Sequence, residues 1–136
     1  MLEEKIIGYA ENGVYKIIAD IKAIKCGKYW AKDVPEFLGG ECDGIYSGGD
    51  GSFIVCINNA EKEHILNYIN TLEQKGYKKF SQSEMNNNLF FTYENGENYV
   101  YAYFIDSLKT VKIIAEPYYE YVNFTPEKNI YLTFRG

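Results

Sequence analysis

Tyrosine is the residue of this sequence whose number and spacing most strongly indicate a chemical role. The chain has 14 tyrosines against 8 phenylalanines and one tryptophan, and Tyr99, Tyr101 and Tyr103 occupy alternate positions of the segment NYVYAYFI. Alternate side chains of an extended strand point to the same side, so the three rings are expected to form a row with a spacing of about 6.5–7 Å. A phenol packs through its ring and hydrogen-bonds through its hydroxyl. The row therefore predicts a binding surface.

The neighbouring segments widen this row into what we call the tyrosine face. NLFFTY and VKIIAEP alternate in the same manner, and antiparallel pairing places one set of their side chains on the side of the tyrosines. The predicted ligand- or partner-binding residues are Phe90, Thr92, Tyr99, Tyr101, Tyr103 and Lys112, with Ile114 beside them. The core side is predicted to carry Leu89, Phe91, Val100, Ala102, Phe104, Val111, Ile113 and Ala115. One alternative stays open: the N-terminal segment or the C-terminal tail packs over the tyrosine face and makes it a second core layer.

The glycine-rich segment GGECDGIYSGGDGSF does not have the pattern of a phosphate-binding loop. Such loops lead into a helix N-terminus and usually include a lysine, whereas GGDGSF leads into an apolar strand and no GK[ST] follows. We interpret the glycines as turns between short strands. A weak cation site at Asp43 and Asp50 is the alternative.

The remaining residues of catalytic type are too few and too scattered to form a predicted active site. His64 is the single histidine, and a general base needs a nucleophile within reach. The nearest nucleophile in sequence, Cys56, lies in the apolar run FIVCI and is expected to be buried. Cys26, Cys42 and Cys56 show no CxxC spacing and are expected to be reduced thiols, with a Cys42–Cys56 bridge as the alternative. We therefore predict a protein that is not an enzyme, with no catalytic residue, no metal ligand and no cofactor.

Composition and charge narrow the class of partner. The net charge is −5 and the isoelectric point is near 4.9, which disfavours binding to a nucleic acid polymer. No apolar run reaches the length of a membrane span, and the start MLEEKIIGYA has no cationic region followed by an apolar one. We expect a cytoplasmic protein without membrane contact. A length of 136 residues predicts a single domain over residues 1–136.

Strands and one helix are predicted to position the tyrosine face. The pair Asn12-Gly13 predicts a hairpin within residues 1–25 with a long second strand, although Val14, Ile17, Ile18 and Ile21 also fit a helical stripe. A short strand is predicted at residues 44–47, a turn at 48–51, and a central strand covered on both faces at 53–57. The C-terminal residues 118–136 contain two more strand-like runs.

The helix is the clearest single element. Asn58 with Glu61 predicts its N-cap, and Gly76 predicts its end. Its apolar stripe consists of Ile65, Tyr68, Ile69 and Leu72. A short strand at residues 77–80 and a polar loop, QSEMNNN, follow it.

The last three predicted strands form an antiparallel meander at residues 89–93, 98–105 and 111–116. A two-residue turn at Asn95-Gly96 would place Phe91 opposite Val100 and Glu94 beside Glu97, and a four-residue turn would separate that like-charged pair while keeping the same faces. The predicted fold class is α+β: an antiparallel sheet of about five to seven strands with one amphipathic helix packed on one face.

Residues 35–117 resemble a small module found at the N-terminal end of some Firmicutes metallo-β-lactamase-fold hydrolases. The matching pattern is the glycine-rich hairpin, the helix ending in GYKKF, and then NLFFTY, YVYAYF and VKIIAEP. The resemblance implies a ββαβββ accessory domain. It carries over no metal ligand or catalytic residue, because the histidine-rich metal motif of the hydrolases has no counterpart in a chain with one histidine.

These observations favour a non-catalytic binding domain whose tyrosine face holds a protein partner or a second copy of the chain. The alternative hypothesis is a small-molecule or nucleotide-signal sequestering protein. In that hypothesis a ring-bearing ligand lies between Tyr99–Tyr103 and an adjacent loop, such as residues 44–51.

Overall fold

The computed structural model describes residues 6–18 and 29–118. The elements of these residues are β1 (Gly8–Glu11), β2 (Val14–Ile17), β3 (Glu41–Gly49), β4 (Ser52–Asn58), α1 (Lys62–Gln74), β5 (Lys78–Met85), β6 (Asn88–Glu94), β7 (Asn98–Ile105) and β8 (Thr110–Pro117). A six-stranded antiparallel sheet has the order β3-β4-β8-β7-β6-β5, and β1 with β2 forms a separate two-stranded sheet. The α+β class is confirmed, whereas the division of the strands into two sheets was not predicted.

The N-terminal hairpin joins the molecule on the core side of the large sheet. Asn12 and Gly13 have φ angles of 55° and 80°, the left-handed backbone that a two-residue hairpin turn requires. The backbone N–H of Ile7 donates to the Ile45 carbonyl at 2.8 Å, which attaches the hairpin beside β3. Tyr15 packs edge-on against Phe53 with ring centroids 6.0 Å apart, inside the main core. The predicted continuation of the second strand to residue 23 and the C-terminal strands lie outside the described residues.

The core lies between the six-stranded sheet and α1. The predicted helical stripe of Ile65, Tyr68, Ile69 and Leu72 is buried, as are all eight residues predicted for the core side of the sheet. The loop at residues 31–37 packs against the same core. The Tyr15 hydroxyl accepts from the Phe37 N–H at 2.8 Å, and the Tyr68 hydroxyl donates to the Pro35 carbonyl at 2.7 Å.

The helix begins later than its sequence signals predict. Asn58 still pairs with Glu41 in the sheet, so it cannot cap a helix. The cap residue is Glu61, whose backbone N–H donates to His64 Nδ1 at 2.9 Å. His64 is thus part of a helix cap. The predicted end is confirmed, because Gly76 follows the last turn with a φ of 95°.

The predicted polar loop QSEMNNN is wrong over most of its length. Residues 82–85 belong to β5, and the turn is confined to Asn86 and Asn87, with φ angles of 53° and 69°. All eight residues of β5 are exposed. The strand predicted at residues 77–80 covers only the start of β5, because an edge strand with water on both faces has no apolar alternation to indicate the rest.

The strands before the helix also differ from the prediction. β3 spans Glu41–Gly49 and is longer than residues 44–47, because the turn is confined to Asp50 and Gly51. β4 is second from the sheet edge. Only its core side is fully buried, while Ile54 and Cys56 are half-buried on the other side. From residue 35 to residue 117 the element order is ββαββββ, one strand more than the module resemblance implies.

Candidate binding surface

The register of the meander brings the predicted binding residues onto one side of the sheet. Phe90, Tyr103 and Lys112 form one row across β6, β7 and β8, and a second row consists of Thr92, Tyr101 and Ile114. The observed register differs by two residues from the one predicted for a two-residue turn at Asn95-Gly96, because Phe91 lies opposite Ala102. A shift of two residues keeps every side chain on its predicted face.

A side-chain hydrogen-bonded loop sets this register. The Asn95 side-chain oxygen accepts from the backbone N–H groups of Glu97 and Asn98 at 2.9 and 2.8 Å. The backbone N–H of Asn95 donates to the Asn98 carbonyl at 3.2 Å. These bonds keep residues 95–97 out of the strands and so determine which residues of β6 and β7 are opposite each other.

The rings of the tyrosine face form a ladder along β7. The centroids of Tyr99 and Tyr101 are 6.3 Å apart with an interplanar angle of 22°, and those of Tyr101 and Tyr103 are 6.4 Å apart at 51°. Phe90 meets Tyr103 edge-on at 5.4 Å. The Tyr101 hydroxyl is 2.5 Å from Glu116 Oε2, to which it donates. Packing and hydrogen bonding therefore fix the orientation of these rings within the chain itself.

The two ends of the ladder differ in accessibility. Tyr99 is only 7% exposed. Phe80 lies edge-on to its ring at 5.8 Å, and the ring of Tyr118 stacks on it at 5.1 Å. Phe90, Thr92, Tyr101 and Tyr103 are half-buried, and Lys112 is exposed. The accessible part of the tyrosine face is therefore its Tyr101–Tyr103 end.

The same surface continues across β4 and β3, which the sequence analysis did not assign to it. Ile54 lies opposite Ile114, and Tyr46 lies opposite Ile54. The Tyr46 ring covers Gly44, since a Cβ built on Gly44 would lie 2.8 Å from the Tyr46 hydroxyl oxygen. In an extended FIVCI segment, Ile54 and Cys56 point to the side opposite Phe53 and its alternate neighbours. The sequence prediction missed this because it treated β4 as a strand covered on both faces.

The side of the sheet opposite the tyrosine face is already occupied by the rest of the described chain. Tyr15 of the hairpin, Phe37 of the loop and the buried stripe of α1 all belong to the core cluster on that side. Tyr101 and Tyr103 are half-buried on the other side of the sheet. Tyr15 of the hairpin packs on the core side, whereas Ile6, just before the hairpin, pairs with Tyr46 beside the sheet. The tail beyond residue 118 lies outside the described residues.

A groove of about 400 Å³ opens at the Tyr103 end of the tyrosine face. Strand β7 contributes Tyr103 and Ile105, and the turn between β7 and β8 contributes Leu108, which is 68% exposed. Strands β4 and β8 complete the lining with Cys56, Asn58, Thr110 and Lys112. The groove thus combines an aromatic wall, an apolar rim and a few polar groups.

Two lysines near the groove have different electrostatic surroundings. Lys109 Nζ lies 3.1 Å from Asp106 Oδ1 and 3.5 Å from Glu61 Oε1. Its hydrogen bond to Asp106, with the nearby negative charge, raises the pKa of Lys109. Lys112 forms no ion pair with any carboxylate of the described residues. Lys112 is therefore the lysine that can offer its charge to a ligand.

The described residues do not assemble a metal site or a catalytic pair. His64 caps α1 on the core side of the sheet, whereas Cys56 lines the groove on the other side. In the described ranges, no three His, Cys, Asp or Glu side chains group as they would to hold a metal ion. The helix of these ranges is also too short and too polar to cross a lipid bilayer.

Comparison of the chain with protein-family models, with curated proteins and with solved structures found no match. The resemblance of residues 35–117 to the module of metallo-β-lactamase-fold hydrolases therefore stays a prediction.

Proposed function

We propose that the protein is a non-catalytic binding module whose tyrosine face holds a protein partner or a second copy of the chain. The observation that carries the proposal is the position of Tyr101 and Tyr103. Their rings form an oriented ladder on one side of the sheet, while the helix and the hairpin pack on the other side.

The composition of this surface suits a protein partner. Half-buried aromatic and aliphatic side chains lie across four strands, from Ile54 through Ile114 and Tyr101 to Phe90. Tyrosine is enriched at the energetic centres of protein interfaces, since it supplies a large contact area and a polar tip. Glu116 and Glu94 lie on the same side as the tyrosines, and their negative charge disfavours a nucleic acid backbone.

The test replaces Tyr101 and Tyr103 by alanine and uses Tyr9 and Tyr29 as the matched control pair. The control tyrosines are 53% and 76% exposed and do not belong to the tyrosine face. We expect the Tyr101→Ala/Tyr103→Ala protein to associate at least about tenfold more weakly with its partner or its own copy, because a central aromatic pair supplies much of an interface's free energy. Sedimentation velocity over a concentration series measures self-association, and crosslinking followed by mass spectrometry measures partner binding.

The control pair must behave like the unchanged protein, and circular dichroism checks that both variants are folded. A protein that sediments as a monomer at every concentration and crosslinks the same molecules with both pairs of substitutions would contradict the proposal.

The groove favours a second candidate function, the binding of a small molecule or nucleotide signal. Its volume of about 400 Å³ lies within the range of ligand sites. The loop beside the groove is the β7–β8 turn, and not the segment at residues 44–51 that was expected to hold the ligand. Most of that segment belongs to β3, and β4 and β8 lie between β3 and β7 in the sheet. A thermal-shift screen with nucleotides tests this candidate, and no shift with any nucleotide would count against the nucleotide form of it.

A further inference from the structure

We infer that the groove beside Tyr103 is a binding site for a small aromatic anion, a ligand with one or two rings and a carboxylate or phosphate group. This inference rests on the second candidate function, and it names the class of ligand. It is independent of whether Tyr101 contacts a protein partner.

The shape of the groove selects a flat, partly apolar ligand. Its base is the sheet, where Lys112 lies between Cys56 on β4 and Tyr103 on β7. Leu108 stands at its border on the β7–β8 turn. The Phe90 ring meets that of Tyr103 edge-on, at an interplanar angle of 67°, which helps to hold the Tyr103 ring in place. A ligand ring can stack on Tyr103, because aromatic pairs are favourable at centroid distances of about 4.5–7 Å, and Leu108 in the same lining offers it an apolar contact.

The charge of the groove selects an anion. Lys112 is the one charged residue among those that line it, and no carboxylate is present in the lining. The neighbouring Lys109 is held by Asp106 and Glu61, so its charge is already compensated. Asn58 and Thr110 lie in the same lining and supply additional polar groups. In a chain of net charge −5, an uncompensated cation beside an aromatic ring complements a ligand that carries both a ring and a negative charge.

The experiment uses three probes that separate the ring from the charge: benzoate, benzyl alcohol and acetate. Each is titrated into the full ¹⁵N-labelled chain, and amide shifts in two-dimensional NMR spectra give the site and the dissociation constant. We expect benzoate to shift the amides of Cys56, Tyr103 and Lys112 and to bind at least tenfold more tightly than acetate. Phenyl phosphate in place of benzoate shows whether a phosphate serves as well as a carboxylate.

The variant Lys112→Gln tests the charge, with Lys109→Gln as the matched control from the same turn region. We expect Lys112→Gln to weaken benzoate binding about fivefold, near the upper end of what an exposed ion pair contributes. The same variant should leave the affinity for benzyl alcohol unchanged, because that probe has no charge. Lys109→Gln should leave benzoate binding unchanged.

The variant Leu108→Ala tests the ring contact, with Leu38→Ala as its control, since both leucines are about 70% exposed and neither supports the core. We expect Leu108→Ala to weaken benzoate binding and Leu38→Ala to have no effect. The inference is overturned if benzoate shifts no groove amide, if acetate binds as tightly as benzoate, or if Lys112→Gln leaves benzoate affinity unchanged. If sedimentation velocity shows that the Tyr101→Ala/Tyr103→Ala protein associates as strongly as the unchanged protein, only the proposed binding module is overturned. The two failures are therefore distinguishable.

Discussion

At the scale of single residues, two sets of tyrosines differ in burial and in surroundings. Tyr15, Tyr68 and Tyr77 are buried, and their hydroxyls bond to the loop at residues 35–37 or to Asn98. Tyr101 and Tyr103 are half-buried on the opposite side of the sheet. The hydroxyls of the first group bond within the core, whereas the second group lies on the tyrosine face, where the Tyr101 hydroxyl donates to Glu116. Composition alone cannot distinguish them, because both groups use the same side chain.

Removal of the Tyr68 hydroxyl is predicted to destabilise the fold. The hydroxyl donates to the Pro35 carbonyl at 2.7 Å in a buried position, and Tyr68→Phe leaves that carbonyl without this partner. We expect a loss of about 1–2 kcal/mol in the free energy of unfolding, measured by urea denaturation. Tyr9→Phe, at an exposed tyrosine, should change it by less than about 0.5 kcal/mol. Equal effects of the two substitutions would show that the Pro35 bond adds no stability.

The buried tyrosines also predict a loss of stability at alkaline pH. Burial raises the pKa of Tyr15, Tyr68 and Tyr77 above the ordinary tyrosine value. Unfolded tyrosines lose their protons near about pH 10, so above that pH the folded state binds more protons than the unfolded state. The contribution of these tyrosines to the free energy of unfolding should be constant up to about pH 9. It should then fall as the pH rises through 10 towards the raised pKa values.

Urea midpoints measured from pH 8 to pH 11 check this expectation. Tyr68→Phe removes one of the responsible groups, so its midpoint should fall less steeply with pH than that of the unchanged protein. Parallel curves for the two proteins would contradict the assignment.

At the scale of elements, tight turns with left-handed backbone define where the strands end. Gly49, the last residue of β3, and Gly51, the second residue of the β3–β4 turn, have the same φ of 83°. Their surroundings differ. A Cβ at Gly49 would have no atom within 4 Å, whereas one at Gly51 would lie 2.2 Å from the Tyr29 carbonyl oxygen. The requirement for glycine is therefore conformational at position 49 and also steric at position 51.

This matched pair gives a prediction for the β3–β4 turn. Gly49→Ala should cost about 1 kcal/mol, the penalty for a side chain in left-handed backbone. Gly51→Ala should cost at least about 1–3 kcal/mol more, because the contact with Tyr29 forces the backbone to shift. Thermal and urea unfolding of the two variants measure the difference. Equal costs would show that the approach of Tyr29 to this turn does not stabilise the protein.

The elements also show which parts of the fold were predictable. The meander was predictable because strict alternation assigns each side chain to a face even when the register is off by two residues. The helix end at Gly76 was predictable from a local signal. The first part of β5 was predicted as the strand at residues 77–80, but its second part was not, because an edge strand in water on both sides leaves no periodic pattern. The helix start was displaced because the pairing of Asn58 in the sheet overrides its preference for a cap.

At the scale of the whole molecule, the described residues pack α1, the hairpin and the loop at 31–37 on one side of the sheet and place half-buried aromatic side chains on the other. The sequence predicted that surface along β6, β7 and β8. It did not predict that β3 and β4 extend it, or that Phe80 and Tyr118 cover Tyr99. Both depend on contacts between segments far apart in the chain, for which a single sequence has no local pattern. The groove at residues 103–112 likewise forms only when β4, β7 and β8 come together.

Position-specific photo-crosslinking tests most directly whether the tyrosine face is a binding surface. p-Benzoylphenylalanine is placed at position 103 in one protein and at position 9 in a second, and each is irradiated in cells that express it. If the tyrosine face binds a protein or a second copy, position 103 gives a discrete crosslinked species that position 9 does not give. If neither position, or both equally, gives a crosslinked species, the tyrosine face is not the surface through which this protein binds a protein partner or its own copy.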